Sequence, residues 1–364
     1  MALSKLNNDS FGDTAVHGRR NLVINGAASV NQRGDSTGIT AEGYYGPDRW
    51  YYKTEGEETV SISQASDGPD GFANSYKVEV TTTDGTIAAD DYARVETRFE
   101  GQDLQQLKYG TSGAESITLS FYVKSSVTGT YAAAFYSADG VRAIGSTYTI
   151  SSANTWEYKT LTFAGDTGGT INDDNTEALR VWFVLSAGSN FTSSDNTSWG
   201  AYSASKVAYG HTANVIGTSS ATWQITGVQL EVSDKATPFE HRSYGEELSL
   251  CQRYFQSITT ADHQVIRGAT GTTYSAAHLQ STFHLPAPMR VAPTLTNAAG
   301  GSTCTADGRN TGYSNVANYE LTPQSAGAEG YRWYYSASSN GSSSLPTSVA
   351  FLILSDNVYA DAEL

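Results

Sequence analysis

The stretch Ile225-Thr-Gly-Val-Gln-Leu-Glu-Val232, followed by Ala236-Thr-Pro-Phe-Glu-His-Arg-Ser243 and Glu247-Leu-Ser-Leu-Cys-Gln-Arg-Tyr-Phe-Gln256, decides how this chain is divided. Ile225, Val228, Leu230 and Val232 fall in a strand-like run, whereas Leu248, Cys251 and Phe255 recur at helical spacing. One β-domain therefore closes here, the chain turns a corner, and another opens. Ser243 with Glu246 three residues on has the spacing of a capping box, so a short helix is expected between the two.

Upstream, period-two alternation recurs at 60–63, 76–80, 93–99, 117–123, 130–136, 156–163, 179–185 and 223–230. Such spacing is the mark of half-buried antiparallel strands in a two-sheet sandwich. The 35 glycines and 23 tyrosines, against two methionines, favour strands and turns over packed helices. The expected class is all-β: a two-sheet β-sandwich over 21–238, a linker with a short helix over 239–257, and a smaller second β-sandwich over 258–364. Residues 1–20 are polar and unpatterned and read as an arm that orders on binding.

A chain of 364 residues can bury two cores without covalent staples. Cys251 and Cys304 show neither a CxxC pair nor metal-ligand spacing, so both read as small apolar core residues. With 37 acidic against 22 basic side chains, the formal charge of -15 repels a phosphate backbone and argues against nucleic-acid binding. No signal-like stretch opens the chain, and no apolar run is long enough for a membrane span. A protein made in the cytoplasm without membrane insertion is the expectation.

Asn21-Leu-Val-Ile-Asn-Gly, Asp48-Arg-Trp, the 225–256 stretch, Met289-Arg-Val-Ala-Pro-Thr-Leu and the closing Ala360-Asp-Ala-Glu-Leu together resemble a family of bacteriophage virion proteins, tail fibres or similar appendages. The resemblance implies a non-enzymatic virion protein, made in the host cytoplasm and carried on the particle. It implies a homotrimer whose N-terminal arm meets other virion proteins and whose β-domains face the host surface, with glycan as the contact. A capsid-decorating or head-fibre protein is the alternative, and a polysaccharide depolymerase a second. Residues 21–235 also look like a carbohydrate-binding jelly roll, with 21–26 as first strand and 225–231 as last. Many such modules hold a structural calcium with an acidic residue of the last strand; here Thr226-Gly227 stand in that neighbourhood. Asp67, Asp70, Asp173 and Asp174 are available oxygen donors but sit beside Gly, Pro and Asn as turn acids do. No cofactor and no metal site is expected.

Gly34-Asp-Ser-Thr-Gly38 matches a nucleophile-elbow pattern, but no helix pattern follows Ser36 and nothing links it to a histidine. Arg33-Gly-Asp reads as part of a loop. The acidic pairs Glu57-Glu58 and Asp90-Asp91 read as solvated turns, because adjacent strand residues face opposite ways. No catalytic residue is assigned. Trp50 and Trp182 are expected in the core. Trp199 and Tyr202, in a polar loop where aromatic rings are hard to bury, are the candidate ligand contacts.

Overall fold

The computed structural model describes residues 20–258, 271–275, 278–297, 304–309, 316–327, 330–336, 348–349, 351–354 and 358–364. The expected arm, apart from Arg20, lies outside them. The chain divides into two units, one reaching to Glu247 and taking in Leu364, the other running from Leu248 to Glu363. The division falls inside α2 (Tyr244–Gln252), whose first turn is capped as the sequence expects: the Glu246 amide donates to Ser243 Oγ at 3.3 Å.

The first unit is a sandwich of two antiparallel sheets. In chain order its strands are β1 (Ser36–Ile39), β2 (Gly43–Tyr44), β3 (Tyr51–Thr54), β4 (Thr59–Ala65), β5 (Ser75–Thr82), β6 (Tyr92–Glu100), β7 (Ile117–Ser125), β8 (Gly129–Ser137), β9 (Arg142–Ile150), β10 (Glu157–Phe163), β11 (Glu177–Ala187), β12 (Gly200–Ala201) and β13 (Thr222–Val232). One sheet has the order β1-β4-β5-β13-β7-β10, the other β12-β9-β8-β11-β6-β3-β2. Alternate residues from the two inner faces fill the space between, among them Leu119 and Phe121 of β7, Val95 and Phe99 of β6, Val181 and Phe183 of β11, and Ile225 and Leu230 of β13. This is the two-sheet sandwich the alternation anticipates, and the jelly roll that the resemblance implies.

Three expectations change. Residues 21–26 run beside β13 but form no regular strand. The Asn21 side chain takes over ladder bonds, donating to Val228 O at 3.0 Å and accepting from Leu230 N at 3.1 Å, and Asn25 then turns left-handed at φ 59°. Trp182 is buried, but on the outer side of its sheet, under Tyr136 and Val207. Glu58 is no solvated turn acid: it is 1% exposed, while Glu57 beside it is exposed.

Strand β9 carries no clear alternation in the sequence, because Gly145 interrupts it. That glycine has a packing reason: a Cβ there would lie 2.2 Å from Asn196 Nδ2, where the segment containing α1 (Ser189–Thr192) and β12 crosses the sheet.

The second unit holds a three-stranded sheet of β14 (Phe255–Ile258), β15 (Thr294–Asn297) and β16 (Val358–Asp361), with β16 central. It also holds a seven-stranded antiparallel sheet formed from segments between Gly271 and Leu354. Cys251, Tyr254, Phe255, Met289 and Ala360 are buried in this unit, and Arg290 donates to Ala362 O at 3.0 Å and Glu363 O at 3.1 Å. Among the described residues, no helix is long and apolar enough to cross a membrane.

Candidate functional site

Strand β6 explains why one outer face differs from an ordinary solvated sheet. Its alternation sends Ala93, Val95, Thr97 and Phe99 inward, which leaves Arg94, Glu96 and Arg98 on the outer side. Register then lines up neighbours across the sheet. Tyr136 of β8 lies opposite Arg180 of β11, which lies opposite Arg98 of β6. In the adjacent row, Trp182 lies opposite Glu96, Glu96 opposite Tyr51 of β3, and Tyr51 opposite Tyr44 of β2.

Two like charges placed directly opposite, as Arg98 and Arg180 are, repel unless a counter-charge intervenes. Glu96 supplies it. At 0% exposure its carboxylate accepts from Arg94 Nε at 2.9 Å and from Arg98 Nη2 at 2.6 Å, with Arg180 Nη1 at 3.8 Å. Glu177 completes the cluster, paired with Arg180 and lying 3.6 Å from Arg98. Burial alone would raise the Glu96 carboxyl, yet the guanidiniums of Arg94, Arg98 and Arg180 outweigh it and hold its pKa below the usual carboxylate value. Burial likewise opposes charge on Arg98, and Tyr44, Glu96 and Glu177 raise its pKa against that penalty.

The guanidiniums also lie on rings. Arg98 stands 4.1 Å over Tyr51 and 5.7 Å over Tyr44, Arg94 4.2 Å over Trp182, and Arg180 5.5 Å over Tyr136. Tyr136 stacks on Trp182 at 5.4 Å and an interplanar angle of 11°, and Tyr202 meets Tyr136 edge-on at 5.0 Å. The result is a belt of alternating aromatic and guanidinium planes across five neighbouring strands, about 19 Å from β8 to β2 at the usual strand spacing. Leu364, a member of this unit, lies at the β2 end, where Tyr44 Oη donates to its main-chain oxygen at 3.0 Å and Arg98 Nη1 donates to the same atom. At the other end Tyr136 and Arg180 are half-buried and Tyr202 is 37% exposed.

Of the two expected contact residues, Tyr202 lies on this belt. Trp199 does not touch it: its indole nitrogen donates to Ala164 O at 2.7 Å, and its ring packs edge-on against Tyr109 at the margin of the core. Sequence reasoning missed Tyr136, Arg180 and Arg98, because each sits in an ordinary alternating run and only cross-strand register brings them together. A second aromatic row crosses the outer face of the other sheet, from Tyr158 through Tyr122 and Phe72 to Phe239 and His241, with ring centroids 4.9 to 5.5 Å apart. Ser36 opens β1 opposite Ile62 and is followed by strand, not helix.

No protein-family model matches the chain, and no curated protein matches it by sequence. Among solved structures it is similar to the enzymatically active domain of tailspike protein 4 of bacteriophage CBA120, at 16% identity and a TM-score of 0.34, over 58% of this chain and 21% of that one. The match thus spans about a fifth of the tailspike chain. It is also similar to a family 11 carbohydrate-binding module from a Clostridium thermocellum cellulase, at 15% identity and a TM-score of 0.28, over 58% and 98% of the two chains. A xylan-binding domain from Paenibacillus barcinonensis matches at 12% identity and a TM-score of 0.27, over 50% and 91%.

Proposed function

We propose that this chain is a non-enzymatic, glycan-binding appendage of a bacteriophage particle, tail fibre or similar, and that its first unit holds sugar on the belt from Tyr202 and Tyr136 to Tyr51. The observation that carries the reading is the belt itself. Tyrosine faces take the C–H faces of sugar rings, and guanidiniums, already spread on those rings and fixed by Glu96, donate to sugar oxygens. The acceptor oxygen of Leu364 between Tyr44 and Arg98 illustrates the chemistry that such a surface takes. The phage setting, the attachment of residues 1–20 to other virion proteins and the trimeric state rest on the sequence resemblance and belong to the same proposal.

The test is binding of the purified protein to a panel of immobilised bacterial surface polysaccharides. At least one should bind, with no new reducing ends released, and binding should fall roughly tenfold or more in a Tyr136→Ala/Arg180→Ala variant that keeps its β-sheet circular dichroism. Undiminished binding by that variant would remove the belt. Release of reducing ends would replace a binding protein with a depolymerase.

A further inference from the structure

Two carboxylates are buried side by side at one end of the sandwich, away from the belt. Glu58 closes the turn between β3 and β4 and is 1% exposed; Asp84 follows β5 and is 4% exposed. The Asp84 amide donates to Ile216 O at 3.0 Å, which fixes that loop, and Asp84 Oδ1 accepts from Thr86 N at 3.2 Å. Glu58 Oε1 accepts from the hydroxyls of Tyr52 and Thr54, the latter at 2.6 Å. Glu58 Oε2 has no partner at all. No Lys, Arg or His among the described residues forms an ion pair with either carboxylate.

Gly56 shows where the unpartnered oxygen is aimed. A Cβ on that glycine would lie 2.4 Å from Glu58 Oε2, 3.0 Å from Asp84 Oδ2 and 3.1 Å from Ile216 Cδ1, so the two oxygens approach each other beside a glycine that has no room for a side chain, and Asp84 Oδ2 accepts only a long bond there, from Glu57 N at 3.4 Å. Two anionic oxygens out of water, converging without a counter-charge, are strongly unfavourable unless something positive joins them. Oxygen donors alone, with no nitrogen or sulfur ligand, select a hard cation.

We propose that Glu58 and Asp84 bind a hard divalent cation of the calcium class, tying the β3–β4 turn to the loop after β5. Among the described residues no three His, Cys, Asp or Glu side chains gather, so main-chain carbonyls and water fill the remaining positions, as calcium accepts. The place differs from the first and last strands, where Thr226 and Gly227 stand and carry no carboxylate.

The experiment uses the full-length protein stripped with EDTA and titrated with calcium chloride by calorimetry, with terbium luminescence sensitised by Tyr52 as a second readout. One site should be found, calcium should raise the thermal midpoint by several degrees, and affinity should fall roughly tenfold or more in both Glu58→Gln and Asp84→Asn. Each variant is compared with itself in EDTA and in calcium, so an altered basal stability does not obscure the result. A pair that instead shares a proton would give a calcium-independent midpoint and no terbium signal, and that outcome overturns the assignment. So would calcium binding that survives unchanged in both variants.

Discussion

The indole nitrogen of Trp50 donates to the main-chain oxygen of Asn25 at 3.2 Å, and through it two distant sequence motifs become one structural knot. The Asn25 amide nitrogen donates to Val30 O and to Asp48 O, both at 2.8 Å, and its oxygen accepts from Val30 N at 3.0 Å. Asn25 and Trp50 are both buried, at 0% and 1% exposure. Removing the amide takes three hydrogen bonds from buried main-chain groups, of which Val30 O keeps its bond from Asp48 N at 3.0 Å, and leaves a Cβ residue at positive φ. Asn25→Ala should therefore cost about 3 kcal/mol or more in urea denaturation. Asn25→Gly, which relieves only the backbone, should recover about 1 kcal/mol of that. A loss below about 1 kcal/mol for Ala would mean that the knot does not hold this edge of the sandwich.

Gly227 is fixed by two separate demands. It sits at φ 61° in the bulge that breaks the β13 register between Thr226 and Gln229, and a Cβ there would lie 2.7 Å from the Phe72 ring. Gly227→Ala should destabilise the protein by about 2 kcal/mol. Adding Phe72→Ala should recover the steric part alone, so a double-mutant cycle should give a coupling near 1 kcal/mol, whereas additive losses would show that the ring simply moves aside.

Sequence alone made the first unit's strands legible wherever an inward apolar series was unbroken, as in Leu119-Ser-Phe-Tyr-Val123 or Val181-Trp-Phe-Val-Leu185. It failed at β9, where Gly145 answers to a crossing loop, and at residues 21–26, where an asparagine side chain replaces ladder bonds. The Ser243 cap was legible because it is local. The belt was not: nothing in Ala93-Arg-Val-Glu-Thr-Arg-Phe99 indicates that Arg98 will face Arg180, since register between strands far apart in the sequence is a tertiary property. Trp182 misled for a related reason. Its apolar neighbours Val181 and Phe183 point to the core, and period two puts the tryptophan on the other side.

Acid should unfold the first unit in two windows. His211 is nine-tenths buried, and burial lowers its pKa from 6.5 to about 4; its Nδ1 accepts from Ala132 N at 3.1 Å, which requires the unprotonated nitrogen. A base whose pKa is lower in the folded state is protonated first in the unfolded chain. Stability is therefore full above about pH 6.5 and falls by roughly 3 kcal/mol as pH drops to about 4. Glu96 acts below that. Its folded pKa is depressed from 4.5, so its contribution is present above that value and is lost as pH falls through the lower folded pKa. His211→Asn, measured by urea denaturation across this range, should flatten the upper window and leave the lower one. An unchanged slope in the upper window would show that another group titrates there.

Trp199 and Tyr202 share a loop but should behave oppositely when shortened. Trp199 carries an indole bond to Ala164 O and covers the core margin beside Tyr109, so Trp199→Ala should cost about 2 kcal/mol of stability. Tyr202 keeps 37% of its surface exposed and meets Tyr136 and Trp182 only by its edge, at 5.0 and 6.1 Å, so Tyr202→Ala should cost about 1 kcal/mol or less. If the belt holds sugar, the order reverses for binding: Tyr202→Ala should weaken adsorption to the immobilised polysaccharide several-fold, and Trp199→Ala should leave it unchanged at temperatures where the variant is folded. Thermal denaturation and adsorption measured on the same preparations separate the two effects. Equal adsorption by wild type and Tyr202→Ala would exclude this tyrosine from the contact, whatever its exposure.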